Sequence, residues 1–177
     1  TNAFTSFEQT VYTDDVPASA IDKYLAVQAE RFRNPVLRIF HTELEAVYEE
    51  KNSGLDNDSR RVFEKLFAEL FKNHNYGLQT TIGTIEHLKN PSLVEIRNYF
   101  NKYYVPNNMG VIMSGDFNPD VMIKKVDATF AYMQNKPFAK YTFQPEQPIS
   151  SPISAEVVGP DAESVTIGFR LPGNKSK

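Results

Sequence analysis

Residues 41–52 have the sequence HTELEAVYEEKN, which is the strongest pattern in this chain of 177 residues. We expect a helix here, in which Glu43 and Glu50 stand seven residues apart. Seven residues make nearly two whole turns, so both carboxylates project from one face, about 10 Å apart along the helix axis. That separation is too long for two carboxyl groups that share a proton. It suits one carboxylate that binds a metal ion and a second carboxylate that lies just outside the metal ligands and orients them.

The same stretch also has a plainer interpretation. It carries four glutamates, Glu43, Glu45, Glu49 and Glu50. A helix of this kind is most often a solvated acidic face. The chain has three histidines, His41, His74 and His87. They do not form a closely spaced pair on one helix, so no self-contained zinc site is visible, and both interpretations of the helix stay open.

Secondary structure is predicted on the N-terminal side of this helix. The β-branched and aromatic residues between Phe4 and Tyr12 predict one or two strands. Apolar residues from Ile21 onward recur at helical spacing. Pro35 ends that helix at Asn34, because the residue before a proline disfavours the α conformation.

A wide apolar stripe follows the glutamate helix. Residues Ser59–Phe71 are predicted to form a helix whose stripe faces a core. The stripe consists of Val62, Phe63, Leu66, Phe67, Leu70 and Phe71. For the glutamate helix itself, Thr42 and Glu45 fit a capping box at its start, although its neighbours also allow an earlier start.

The next part of the chain is predicted to alternate between loops, helices and one strand. Residues 74–83 are expected to form a loop, and Ser92 is expected to start a helix that Val105-Pro106 stops. The short apolar run 109–115 is predicted to be a buried strand. Asn118 and the following proline predict a helix that continues to about Met133.

The composition changes after Gln134. Prolines and serines make residues 137–153 an extended linker. Apolar and polar residues then alternate over 163–171, which predicts a strand with one covered face. The expected organisation is one domain over 1–136, the linker, and the start of a second domain over 154–177.

Composition excludes several classes of protein. With 41% hydrophobic residues and a net charge of -3, the chain is predicted to be globular and not to bind nucleic acid. No apolar run approaches the roughly 20 residues that span a bilayer. The absence of cysteine excludes disulfides and Cys-ligated zinc, but it does not choose between cytoplasm and periplasm.

Several separated blocks resemble, in the same order, the inverzincin metallopeptidases of the M16 family, which includes pitrilysin, insulin-degrading enzyme and mitochondrial processing peptidase. Residues 2–6, NAFTS, resemble the family's Asn-Ala-aromatic-Thr strand, and residues 43–50, ELEAVYEE, resemble its Glu-x6-Glu helix. Residues 83–86, GTIE, and 104–109, YVPNNM, resemble its later Gly-Thr and Tyr-x-Pro-x-Asn-Met blocks. The resemblance spans roughly residues 2–130.

This resemblance implies a fold. It is the α+β, LuxS/MPP-like metallohydrolase fold, in which a mixed or antiparallel sheet is covered by helices. Residues 1–136 would be the C-terminal part of an incomplete N-terminal domain, and 154–177 the first strand region of a second, similar domain. The remaining domains of the same protein, or a partner subunit, would complete a chamber around the substrate.

The resemblance also implies roles for individual residues. Glu50 would be the carboxylate ligand of zinc, and Glu43 an acid that supports the site from the same helix face. Asn2, Ala3 and Phe4 would lie on an edge strand that pairs with the backbone of a peptide or unfolded polypeptide.

Zinc would need more ligands than this chain offers. In the family, two imidazoles and the general base come from a His-x-x-Glu-His helix well ahead of the ligand glutamate, which places that helix before Thr1. We therefore expect a piece of a zinc endopeptidase that is inactive alone. A bacterial envelope location would suit such a peptidase, but the sequence does not specify the compartment.

Two other functions stay open. The first is a non-catalytic M16-like scaffold or partner subunit, which retention of both Glu43 and Glu50 disfavours. The second is a peptide-binding module that works without metal through the strand at Asn2–Thr5.

Overall fold

The structure of this chain is a computed structural model that describes residues 1–173. Its architecture is α+β, with two paired strands and seven α-helices among those residues. The strands are β1 (Asn2–Thr5) and β2 (Thr10–Thr13). The helices are α1 (Ile21–Arg33), α2 (Phe40–Leu55), α3 (Asp58–Leu70), α4 (Asn75–Leu78), α5 (Ile85–Lys89), α6 (Leu93–Tyr103) and α7 (Pro119–Phe130). Short 3-10 turns occupy Ala18–Ala20 and Pro106–Asn108.

Side-chain caps explain where several helices begin. The first turn of a helix has backbone N–H groups without intrahelical partners. Asn57, Ser92 and Asn118 each accept one such N–H, at 2.8, 3.2 and 3.1 Å. The predicted starts at Ser92 and Asn118 are therefore confirmed, and Pro119 occupies the first turn of α7.

The contacts group the described residues into two units. The first unit contains 1–4, 10–40 and 91–140, and its central helices are α1 and α7. These helices contribute the buried side chains Leu25, Ala29 and Met122. Lys125 Nζ lies 2.5 Å from Asp22 Oδ1, and Tyr132 donates to the Ala29 carbonyl at 2.7 Å.

The first unit also anchors strand β2. The hydroxyls of Tyr12 and Tyr104 are 2.8 Å apart, and the Tyr12 ring meets the Phe32 ring edge-on at 5.7 Å. Beyond the strand, Asp14 accepts hydrogen bonds from Tyr24 and Gln28 of α1. These contacts tie β2 and the residues after it to α1 and to the end of α6.

The second unit contains 5–9, 41–90 and the described residues from Tyr141 on. Its centre is an aromatic cluster on α3. Phe67 contacts Phe63 and Phe71 of the same stripe, at ring distances of 4.2 and 5.7 Å, and Phe7 at 5.7 Å. The predicted stripe therefore packs, but none of its side chains is fully buried.

The glutamate helix is longer than its pattern indicates. Helix α2 begins at Phe40, whose N–H donates to the Leu37 carbonyl at 3.3 Å, and continues through Gly54 to Leu55. Thr42 therefore lies inside the first turn, and the expected capping box with Glu45 is wrong. The chain enters the helix through a preceding turn, so a cap at position 42 is not needed.

The predicted loop 74–83 is also partly wrong, because it contains helix α4. The imidazole Nδ1 of His74 accepts the Tyr76 N–H at 3.2 Å and caps that helix. Thr84 and His87 form a capping box that starts α5, a helix that was not predicted. Caps that use histidine are rarer than the Ser and Asp caps on which sequence interpretation relies.

Two predicted strands are absent from residues 1–173. Neither 109–115 nor 163–171 is paired with another segment, and the Ile112 side chain is 97% exposed. A strand needs a neighbour to satisfy its backbone N–H and C=O groups, which an apolar pattern alone does not supply. The C-terminal end of the expected second domain, 174–177, lies outside the described residues.

Candidate metal-ligand helix and substrate edge

Helix α2 has one face toward the protein and one toward solvent. Leu44, Val47 and Tyr48 are half-buried, whereas Glu43 and Glu50 are both exposed. The spacing argument is thus consistent with the structure, since both carboxylates stand on the solvent side of one helix. Both carboxylates are open to a ligand or to another chain.

The buried residue of α2 is Lys51, directly after Glu50. Its side chain is only 9% exposed, and its Nζ lies 3.9 Å from Glu64 Oε1 on α3. Arg60 donates to the same Glu64 oxygen at 3.0 Å. A buried ammonium is costly unless it is paired, so this contact restricts how α2 can rotate against α3. Sequence interpretation missed Lys51, because lysine on a glutamate-rich helix usually indicates a surface.

A complete metal site is not formed by the described part of the chain. No group of three or more His, Cys, Asp or Glu side chains there is arranged to hold a metal ion. The Nδ1 atoms of His74 and His87 accept backbone N–H groups at helix starts. Zinc takes four ligands in structural sites and three protein ligands in catalytic ones. Glu50 alone does not meet that requirement, so these residues do not hold zinc by themselves.

Strand β1 has an open edge among the described residues. It pairs with β2 in a two-stranded sheet, which leaves its other side free of strands. Asn2, Ala3 and Phe4 are all exposed. The Ala3 N–H is held by the Asn2 side chain at 2.8 Å. This edge has the geometry for strand addition, but the Asn2 amide must release that N–H before a peptide can accept it.

A groove on the second unit lies beside the glutamate pair without including it. It runs between α2 and α5 and is lined by Leu44, Glu45, Tyr48, Glu49, Leu88 and Lys89. Glu43 and Glu50 are not among the lining residues. The exposed face that carries the glutamate pair is therefore separate from this concavity.

Burial changes the chemistry of one tyrosine in the resembling block 104–109. Burial of Tyr104, reinforced by its contact with the Tyr12 hydroxyl, raises the pKa of Tyr104 well above its usual value. The phenol thus stays protonated at any physiological pH. Its role in this structure is to hold β2 on α6 through the hydroxyl contact.

Two family models match the chain almost end to end. Residues 1–84 match a model described as insulinase, peptidase family M16, and residues 92–176 match one described as the peptidase M16 inactive domain. Both models belong to one peptidase family, and they follow each other in the chain. The N-terminal match contains all five predicted site residues.

Curated relatives agree with these matches. The chain is 27% identical, over 99% of its length, to the zinc protease PqqE of Helicobacter pylori, and covers 41% of that protein. It is 28% identical to the probable zinc protease PqqL of Haemophilus influenzae over 81% of the chain and 16% of the relative. It is 22% identical to a probable mitochondrial-processing peptidase subunit beta of Arabidopsis thaliana over 84% of the chain and 28% of the relative. The chain thus spans less than half the length of these relatives.

Proposed function

The chain belongs to the M16 peptidase family, and from this we propose that it is part of a zinc-dependent endopeptidase that hydrolyses peptides or unfolded polypeptides. The observation that supports this most is the pair Glu43 and Glu50, exposed on one helix inside the N-terminal family match. The names of the relatives support the same reaction class, since two are zinc proteases and one is a processing peptidase.

In this proposal Glu50 provides one carboxylate ligand, and Glu43 supports the site from the same face of α2. The remaining ligands and the general base come from a His-x-x-Glu-His helix elsewhere in a longer protein, since residues 1–173 do not supply them. Zinc, when bound, would acidify a water molecule for attack on the peptide carbonyl. This chain's own contribution is to orient Glu50, through the contact of Lys51 on α2 with Glu64 on α3. The isolated chain would be inactive.

Strand β1 is the proposed substrate-binding element. An extended peptide would add to the free edge formed by Asn2, Ala3 and Phe4 and pair through backbone hydrogen bonds. Recognition of main chain before side chains suits an enzyme that accepts many unfolded sequences. The exposure of all three residues supports this role.

The domain organisation is part of the same proposal. Residues 1–136 would belong to one LuxS/MPP-like metallohydrolase domain, 137–153 would link it to the next, and 154–177 would begin a second similar domain. Partner domains of the same protein, or a partner subunit, would close around the substrate.

A second function is favoured by one observation. The model that matches residues 92–176 is described as an inactive domain of the family, so a scaffold role without catalysis is the alternative. A metal-independent peptide-binding module acting through β1 is a third possibility. Peptide binding that survives a chelator, without any cleavage by the full-length protein, would favour the third.

Substitution of the two glutamates tests the proposal in the full-length protein. Glu50→Gln should lower the zinc content well below one per chain and reduce kcat/KM by about 100-fold or more, because a neutral amide is a poor ligand. Glu43→Gln should reduce kcat/KM with a smaller loss of zinc. Metal analysis and a peptide-cleavage assay measure both effects.

Glu49→Gln is the matched control, since Glu49 is exposed on the same helix but lies outside the proposed face. It should keep both zinc and turnover. Normal zinc content and turnover in Glu50→Gln would show that the ligand assignment is wrong.

A further inference from the structure

The segment from Tyr141 to Leu171 has no helix or strand, yet polar contacts hold it against α3. An extended segment without secondary structure must satisfy its backbone groups elsewhere or in water. Here its anchors cluster at the two ends of α3. The segment and the helix belong to the same unit.

The first anchor is the carboxylate of Glu146. It accepts three successive backbone N–H groups, from Lys72 at 3.1 Å, Asn73 at 2.7 Å and His74 at 2.9 Å. The Asn73 amide returns a hydrogen bond to the Pro145 carbonyl at 3.1 Å. Successive N–H groups that converge on one anion form a nest, and hydrogen bonds to an ionised acceptor are stronger than neutral ones. The Glu146 side chain is 11% exposed, so water competes weakly.

Arg170, near the C-terminal end of the segment, contacts the same anchor at the end of α3. Its guanidinium lies 3.6 Å from the Glu146 carboxylate and donates to the Leu70 carbonyl at 2.7 Å. It also donates to the Gln147 carbonyl. Leu70 is the last residue of α3, where carbonyl groups lack intrahelical partners. One guanidinium thus connects the helix end, the anchor carboxylate and the segment.

The second anchor lies at the start of α3. Asp58 accepts the Asp161 N–H at 2.9 Å through one oxygen and pairs with Arg61 at 3.2 Å through the other. Gly159 passes so close that a Cβ there would lie 2.0 Å from the Asp58 oxygens. A side chain at position 159 would therefore displace the Asp58 carboxylate from its contacts at the start of α3.

Between the anchors, the segment presents a row of apolar side chains to solvent. Val165, Ile167 and Phe169 are 89, 73 and 81% exposed, while Gly168 faces the Leu66 and Leu70 side chains of α3. The alternation predicted from the sequence is present, but the apolar side is uncovered. The anchors keep this row extended and turned outward.

We propose that residues 141–171 form a strap clamped along α3, and that Glu146 is the lock of this strap. With the Glu146 carboxylate in its nest, the strap and the loop 72–74 are held together. Without it, Arg170 loses its anion, the three N–H groups turn to water, and the strap leaves the helix. This inference does not depend on the proposed peptidase activity, and it differs from the proposed domain organisation in placing residues 154–171 with α3 in one unit.

Amide hydrogen exchange of the full-length protein tests the lock. In Glu146→Gln, the amides of 72–74, which donate to Glu146, and the Asp161 amide, which donates to Asp58, should exchange at least about tenfold faster, because loss of charge-assisted bonds lowers the local opening free energy. Helices α1 and α7 of the other unit should keep their wild-type protection. Glu163→Gln, an exposed glutamate on the same strap, is the control and should change nothing.

Unchanged protection of the amides of 72–74 and of Asp161 in Glu146→Gln would overturn the proposal. If Glu146→Gln fails to fold, Arg170→Lys is the second test. This variant keeps the positive charge but loses the planar guanidinium that contacts Leu70, Gln147 and Glu146. Faster exchange of the amides of 72–74 and Asp161 supports the lock in that variant, and wild-type protection of these amides refutes it.

Discussion

Glu50 and Glu146 have the same side chain but differ in exposure and in hydrogen bonding. Glu50 is exposed on α2, whereas Glu146 is nearly covered and accepts three backbone N–H groups. The first is free to receive a ligand from outside the described residues. The second already accepts three N–H groups of its own chain and pairs with Arg170. Residue type and local sequence do not distinguish them, because the difference arises from contacts about 70 residues apart.

Glu146 predicts a pH dependence of stability. Burial alone would raise the pKa of Glu146, but the N–H groups of 72–74 and the nearby Arg170 outweigh it and lower that pKa. A carboxylate whose folded-state pKa lies below about 4.3, its value in the unfolded chain, stabilises the folded state above that pH. This stabilisation is lost as the pH falls below about 4 through the folded-state pKa.

The measurement is urea unfolding of wild type and Glu146→Gln between pH 7 and pH 3. The free energy of unfolding should differ most at pH 7, and the two values should converge toward pH 3. Glu163→Gln should show no such convergence. A difference between wild type and Glu146→Gln that is independent of pH would contradict the prediction.

At the level of helices, α2 and α3 are joined by a charged contact next to the proposed ligand. Lys51 of α2 is buried and shares Glu64 of α3 with Arg60. Glu50 is exposed because the opposite side of α2 faces the protein. Lys51 is the buried residue of this helix. The orientation of the glutamate face therefore depends on this pair.

Removal of the anion should weaken the pairing of the two helices. Glu64→Gln leaves the Lys51 ammonium buried without a countercharge, so the free energy of unfolding should fall by about 1–2 kcal/mol. Urea unfolding followed by circular dichroism measures it. Glu69→Gln is the control, because its partners Lys65 and Lys72 are largely exposed and such pairs contribute less than about 1 kcal/mol. A smaller loss for Glu64→Gln than for Glu69→Gln would contradict the importance of this contact.

At the level of the whole molecule, the chain is less than half as long as its relatives and lacks a complete metal site in residues 1–173. The apolar segments 109–115 and 163–171 are also unpaired there. The proposed activity consequently requires residues that the described part of the chain does not contain. Helix α2 therefore presents Glu50, while the rest of the proposed catalytic site would come from other residues.

Removal of metal tests the whole-molecule proposal. Dialysis of the full-length protein against a zinc chelator should reduce peptide hydrolysis by at least about 100-fold, and added zinc should restore it, because the metal would supply the activated water. A mock-dialysed sample is the control. Full activity after verified removal of zinc would exclude the metallopeptidase. Activity of the separate 177-residue chain would contradict its expected inactivity.

Much of the local structure was predictable from the sequence. Caps at Ser92 and Asn118, the break before Pro35 and the strands near Phe4 and Tyr12 all depend on neighbouring residues in the chain. The glutamate helix was predicted from its own local pattern, whereas the family was recognised from the resemblance of several separated blocks between residues 2 and 130. The roles of Glu43, Glu50, Asn2, Ala3 and Phe4 stay predictions, because they involve a metal and a substrate.

Other features came from contacts between distant residues. The nest around Glu146 joins residues more than 70 positions apart, and the burial of Lys51 depends on Glu64 of the next helix. The exposed row on the strap follows from the anchors at Asp58 and Glu146, and no local pattern encodes these contacts. The two missing strands have the same origin, because the apolar run 109–115 and the alternation over 163–171 mark segments that can be strands, while pairing needs a second segment at the right distance. Spacing along the chain therefore specified most of the helices, the resemblance of separate blocks indicated the family, and the packing between segments specified which charges are buried and which apolar faces remain open.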